Sequence, residues 1–286
     1  MTTAAPLARG WQARLALRFD AGPAGTQITR REHVGPLLVQ RAFYPEAARP
    51  DAARPCHVYV IHPPGGVASG DELAVDVEVR AGAHALLTTP AAGKFYRRGP
   101  AGVARVTQRF MVDDGVLEWL PQENIFYPDS LVELRSIVRL SGAARFIGWE
   151  LGCLGLPASA QSLGEGALSL HFELWHEGKP LLLERLGVCR ESLQTRWGLA
   201  GHVALGTALI FPAGPAELDL ARAAAAGATG NCTGLMLACT LVDGVLVCRA
   251  TAQRTDTLKR AFERWWRALR PAVLAREAVT PRIWST

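Results

Sequence analysis

At 286 residues and 30.8 kDa, with 49% hydrophobic and 20% charged residues, the chain can bury a full core without disulfide or metal staples. That balance excludes a disordered or fibrous protein. The net charge of +5 is spread thinly: the densest basic clusters are the pairs Arg30-Arg31 and Arg97-Arg98, too short for the concentrated patch of a nucleic-acid binder.

Met1 to Gly10 lacks the apolar stretch of a signal peptide, and no run reaches the ~18 apolar residues of a membrane span. The six cysteines, Cys56, Cys153, Cys189, Cys232, Cys239 and Cys248, contain no C-x-x-C pair and fit reduced thiols. A cytoplasmic location is expected. Cys56, His57 and His62 suggest an extended strand, in which Cys56 and His62 share a face roughly 20 Å apart while His57 points the other way, so they do not chelate one ion without a sharp bend. The other histidines, His33, His84, His171, His176 and His202, show no H-x-H or H-x-x-x-H spacing.

The segment His62-Pro63-Pro64-Gly65-Gly66-Val67-Ala68-Ser69-Gly70-Asp71 holds two prolines and three glycines and reads as a shaped loop. It is no phosphate cradle, because the G-x-x-x-x-G-K-[ST] pattern is missing and no helix start follows; Gly93-Lys94 fails because Thr88 stands at the upstream glycine position and Phe95 follows the lysine, and Ser69 sits in no nucleophile elbow. Residues 73–80 alternate apolar and polar, as a strand with one wet face does, and turn at Ala81-Gly82 into a second apolar run.

Three hairpins are expected, around Asp113-Asp114-Gly115, Glu177-Gly178-Lys179 and Asp243-Gly244, because Asp-Gly and its analogues supply the positive φ of primed turns. In the first, Glu118 would share a side with Met111, as an inward-facing acid in an apolar run. In the third, Cys239 would lie directly across from Cys248, two thiols packed side by side or in transient contact with a soft metal. Helices are few. Residues 216–226 are alanine-rich and read as a helix ended by Gly227; with Thr255 or Asp256 as N-cap, Leu258, Phe262, Trp265, Trp266 and Leu269 share one helical face before Pro271 stops the run. With no linker and no repeat of fixed period, residues 1–286 read as one mainly-β domain, closed or layered to hide its strand edges.

Four segments in register, residues 62–71, Thr88-Thr89-Pro90-Ala91-Ala92-Gly93-Lys94-Phe95-Tyr96-Arg97, Leu117-Glu118-Trp119-Leu120-Pro121-Gln122-Glu123-Asn124-Ile125 and the terminal Pro281-Arg282-Ile283-Trp284, resemble the urease accessory protein family UreD, called UreH in some organisms. The motif residues are His62, Gly65, Gly66, Gly70, Lys94, Tyr96, Arg97, Pro281, Arg282 and Trp284. The resemblance implies a β-helix-like stack of many short strands with a few peripheral helices. It also implies a non-enzymatic maturation factor that binds apo-urease and acts with UreF and the GTPase UreG to deliver nickel, with no permanently bound cofactor and with nickel in transit through a water-filled passage.

Such a passage must attract an ion without trapping it, which scattered carboxylates and hydroxyls do better than a His/Cys chelate. Asp71, Thr88, Glu118 and Glu123 are the expected residues along or beside it; Lys94, Tyr96 and Arg97 would hold the loop or a partner surface. One departure stands out: where the family commonly shows Gly-Arg-x-Ala-x-Gly-Glu, this chain has Cys153 in place of the arginine and Ala158 in place of the glutamate. The competing readings are a metal-dependent β-barrel enzyme with ligands converging from distant strands, and a nucleic-acid-binding β-protein using Arg97, Arg98, Arg105 and Arg109 with Phe95 and Tyr96 as stacking faces.

Overall fold

The computed structural model describes residues 10–50, 52–229 and 234–285. The stretch from Met1 read for a signal, apart from Gly10, and Cys232 lie outside the described residues. The chain opens with the antiparallel pair β1 (Gln12–Gly22) and β2 (Gly25–Val34), then the short β3 (Leu38–Val39) and β4 (Cys56–Ile61). From there it winds in coils. β5 (Glu72–Val79), β6 (His84–Thr88) and β7 (Gly93–Phe95) make one coil; β8 (Ala104–Asp113), β9 (Val116–Trp119) and β10 (Asn124–Phe126) make the next; β11 (Leu131–Ser141) and β12 (Arg145–Leu154) follow.

Equivalent strands of successive coils stack parallel and in register. β5, β8 and β11 form the first face, β6, β9 and β12 the second, and β7 and β10 with the end of β12 a short third face. The hairpin β13 (Ala167–His176) and β14 (Lys179–Val188) ends the first sheet. After the short helix α1 (Arg190–Gln194), β15 (Ala204–Phe211), β16 (Leu235–Val242) and β17 (Val245–Ala252) extend the second sheet antiparallel, in the spatial order β16-β17-β15-β12. Helices α2 (Pro215–Thr229) and α3 (Thr255–Leu274) pack on that sheet. The architecture is the expected mainly-β one, as a stacked-coil solenoid with peripheral helices.

Burial explains why the two sheets read differently as sequence. In β5, Leu73, Val75, Val77 and Val79 are buried while Asp76 and Glu78 face water, so the alternation is visible. The wet face carries charges paired across strands, with Asp76 2.8 Å from Arg14 and 3.2 Å from Arg109, and Arg105 3.3 Å from Glu133. Strand β6 is buried throughout, because one side meets the core between the sheets and the other lies under α3.

Five expectations are corrected. The Asp113-Asp114-Gly115 turn closes no hairpin: β8 and β9 belong to different sheets, and both sides of each are already taken by parallel neighbours. Asp114, at φ 46°, turns a corner instead, and its Oδ1 accepts the Ala143 N–H of the next coil at 2.7 Å. Met111 and Glu118 are therefore not neighbours; Met111 is exposed and Glu118 fully buried. Pro271 does not stop α3, which continues to Leu274 before Ala275 turns left-handed, and its N-cap is Arg254 rather than Thr255 or Asp256. Proline costs that last turn one backbone hydrogen bond, and burial of Val273 and Leu274 outweighs it. Likewise α2 runs through Gly227 to Thr229. The hairpins at Glu177-Gly178 and Asp243-Gly244 form as expected, with Cys239 opposite Cys248.

Candidate functional site

Three of the sequence motifs lie side by side along the third face. The Val67 N–H donates to the Lys94 carbonyl at 2.7 Å, Tyr96 N–H to Val67 at 3.0 Å, and Gly93 N–H to Glu123 at 2.9 Å. Ring contacts follow the same stacking, Phe95 on Phe126 and the edge of Tyr96 on Tyr127, each at 5.1 Å between centroids. Gly66 is required here, since a Cβ would come within 2.4 Å of the Tyr96 ring. Gly70, at φ 80°, holds a turn whose Cβ position is blocked by Ala101 at 2.6 Å.

Behind these loops, between the two sheets, lies a cavity of about 240 Å³ reached by His62, Lys94, Gln108, Gln122, Asn124 and Glu150. A smaller space of about 30 Å³ reaches His171, Glu184 and Thr207 and shares Asn124 and Glu150 with the first. Those two side chains line both spaces.

Glu150 is half-buried, and the surface it retains faces this interior space. Burial pushes its carboxyl up to about 7; the hydrogen bond with Ser136 opposes this and the nearby Glu184 charge adds to it. Ser136 Oγ contacts both Glu150 Oε1 and Gln108 Oε1, the latter at 3.1 Å. One hydroxyl hydrogen cannot serve two acceptors, so a protonated Glu150 donating to Ser136 completes the chain.

Because the folded value lies above the ordinary one, the stability it confers is complete below about pH 4.5 and is lost as pH rises through about 7. Glu150→Gln is therefore expected to gain stability over wild type by roughly 2–3 kcal/mol between pH 5 and pH 8. Urea unfolding at the two pH values checks this, and a pH-independent difference contradicts it.

The expected route residues fall in separate places. The Asp71 carboxylate accepts the backbone N–H groups of Trp11 and Ala68, both at 2.7 Å. Thr88 Oγ1 donates to the Leu120 carbonyl at 2.5 Å and accepts from Trp284 Nε1 at 2.8 Å. Glu123 lies half-buried on the third face beside Asn124. Of the four, Thr88 and Glu118 are brought together, bridged under α3 by Trp284 and Trp266, whose rings are 5.6 Å apart.

Glu118 lies in a buried network that spacing did not disclose. Its carboxylate accepts from Trp266 Nε1 at 2.7 Å, from Arg270 Nη2 at 2.9 Å and from Arg270 Nε at 3.0 Å, and its Oε1 lies 2.8 Å from His84 Nε2. Arg270 Nη2 also reaches Glu46 at 2.5 Å, and Glu46 lies 2.8 Å from His57 Nε2. Burial works against the charge on Glu118, but Arg270 and His84 outweigh it and hold the carboxyl well below its usual range. The visible signal was Arg270 itself, four residues after Trp266 on the apolar face of the expected helix; nothing local marked Glu46.

The remaining motif residues and their neighbours are placed as follows. Arg97 approaches Asp129 at 3.5 Å, Lys259 lies over the Trp284 ring at 5.8 Å, Pro281 is buried and its carbonyl accepts the Trp284 N–H, and Arg282 is exposed. Cys153, at the family departure, is buried in β12, and Ala158 sits in the exposed turn Pro157–Ser159. Of the residues weighed for nucleic acid, Phe95 is buried, while Arg105 and Arg109 face acidic partners on the first sheet. The strands wind as a solenoid and do not close into a barrel. Among the described residues, no three His, Cys, Asp or Glu side chains come together in a metal-holding group, and no helix is long and apolar enough to cross a membrane.

Stacked parallel coils, motif loops gathered on one narrow face and an interior space lined by successive coils define a scaffold of the β-solenoid class. The family model described as UreD urease accessory protein matches residues 12–285. The Urease accessory protein UreD of Pseudomonas putida (strain W619) is 42% identical over 285 residues, covering 97% of this chain and 95% of that protein. Those of Enterobacter sp. (strain 638) and Klebsiella aerogenes are 40% and 38% identical, covering 97% and 98% of this chain and 96% and 99% of theirs. The chain belongs to the UreD family of urease accessory proteins, and its role lies in urease maturation.

Proposed function

We propose that this chain is a non-catalytic docking body for apo-urease in the cytoplasm that works with UreF and UreG and passes nickel toward the urease active site through its interior. The observation that supports this reading is that two neighbouring spaces are both lined by Asn124 and Glu150. A divalent ion moving there meets single carboxylate, amide and hydroxyl groups, each too weak a ligand to arrest it. Glu150 attracts the ion once ionised, and Glu184 and His171 lie on the far side. None of Asp71, Thr88, Glu118 and Glu123 lines either space: Asp71 is held by backbone donors, Thr88 and Glu118 lie on the α3 side of the second sheet, and Glu123 adjoins Asn124 in the chain.

The test is co-expression of urease with the accessory proteins, followed by pull-down and nickel analysis of purified urease. Glu150→Gln, the variant expected to fold more stably near neutral pH, should keep the complex and lower nickel per urease several-fold. Glu123→Gln, Asp71→Asn, Thr88→Val and Glu118→Gln report whether these positions, outside the lining, bear on nickel transfer. Full nickel loading with Glu150→Gln removes the passage, and failure to retain urease in the pull-down removes the docking role.

A further inference from the structure

Away from the passage, the hairpin β16–β17 carries two thiols side by side. Asp243 and Gly244, at φ 46° and 77°, form its two-residue primed turn, closed by the pair Val242 and Val245. Such a closing pair exchanges hydrogen bonds, and the pairs then alternate, which makes Cys239 and Cys248 a non-hydrogen-bonded pair. Cα atoms in that kind of pair approach to about 4.5 Å, inside the ~4.4–6.8 Å that a disulfide spans.

The environment separates the two sulfurs. Cys248 is fully buried, whereas Cys239 is half-buried on the edge strand, on the face that α2 covers. Contact of Cys239 with the Cys248 thiol, with a smaller contribution from the Arg222 charge, outweighs burial and favours the Cys239 thiolate. The same contact and burial keep Cys248 a thiol. Elsewhere burial pushes the Cys56 thiol up to about 11 against a hydrogen bond with Tyr44, and burial is the largest cause raising Cys153.

We propose that Cys239 and Cys248 form a peroxide-reactive dithiol site that closes into a disulfide stapling the edge hairpin. The Cys239 thiolate attacks one oxygen of hydrogen peroxide; the S–O bond forms, the O–O bond breaks, and the departing hydroxide takes a proton to leave as water. Cys248 then gives up its proton and attacks the sulfenic sulfur; the S–S bond forms, the S–O bond breaks, and a second water leaves. Two thiols lose two electrons and one peroxide gains them.

The experiment treats the full chain with one equivalent of hydrogen peroxide, quenches by alkylation under denaturing conditions and maps the peptides by mass spectrometry. A Cys239–Cys248 cross-link two hydrogens lighter than the thiols, reversed by dithiothreitol, is expected, with Cys239 consumed at least tenfold faster than Cys189. Cys248→Ser should leave a dimedone-reactive sulfenic acid at Cys239, and Cys239→Ser should leave Cys248 unoxidised. Absence of the cross-link in the folded wild type, preferential oxidation of Cys189, or pairing of Cys239 with Cys232 instead overturns the proposal.

Discussion

Arg270→Met is expected to destabilise the protein by about 3–5 kcal/mol at pH 7, because it strips the fully buried Glu118 and Glu46 of the cation they share. Both carboxylates are held below their usual range against the cost of burial. The stability they confer is therefore present above the ordinary carboxylate range near 4.5 and is lost as pH falls through the lowered folded values. Urea unfolding should show the variant and wild type converging in acid. The combined variant Arg270→Met, Glu118→Gln, Glu46→Gln should recover most of the loss, since neutral amides need no buried cation. Equal stability of wild type and Arg270→Met at pH 7 would show that the network contributes nothing.

Phe262→Ala should cost about 3–5 kcal/mol, and Phe262→Leu under about 1.5 kcal/mol. The Phe262 ring is fully buried between α3 and β15, edge-on to Trp265 at 5.1 Å, and sits over Gly206, whose Cβ would come within 2.8 Å of it. Gly206→Val should lift the helix from the opposite side. Loss of docking is read by hydrogen exchange of the α3 amides, expected to accelerate before those of β8 and β11. Uniform exchange across helix and coils would mean that α3 and the solenoid unfold as one unit. The same docking carries the Trp284 hydrogen bond to Thr88, so a loosened α3 also frees the C-terminal motif from the second sheet.

Four motifs in register were enough to show the family, and the geometry gives a reason for three of their spacings: residues 62–71, 88–97 and 117–125 recur once per coil, so that Val67, β7 and β10 fall next to one another. The fourth, around Trp284, comes back from the other end of the chain to close over Thr88. Glu118 was legible as an inward acid because it interrupts an apolar run. Glu150 was not, since nothing adjacent in the chain reveals that a cavity lies opposite it.

What the chain determines by itself is local: the alternation of β5, the primed turns at Glu177-Gly178 and Asp243-Gly244, the facing of Cys239 and Cys248, and the apolar stripe of α3. Each rests on side chains a few residues apart, where backbone geometry leaves one arrangement. The partners of the central strands were decided by the tertiary structure, which set Glu72 beside Arg105 and Ala104 beside Val132 and turned Asp114-Gly115 into a corner. A strand with one buried face alternates in the same way whether its neighbour is the next strand or the next coil. Only burial of the coils on one another, and of α3 on the second sheet, selects between them, and that selection places Glu118, Glu46 and Arg270 in contact and leaves Glu150 in the interior space.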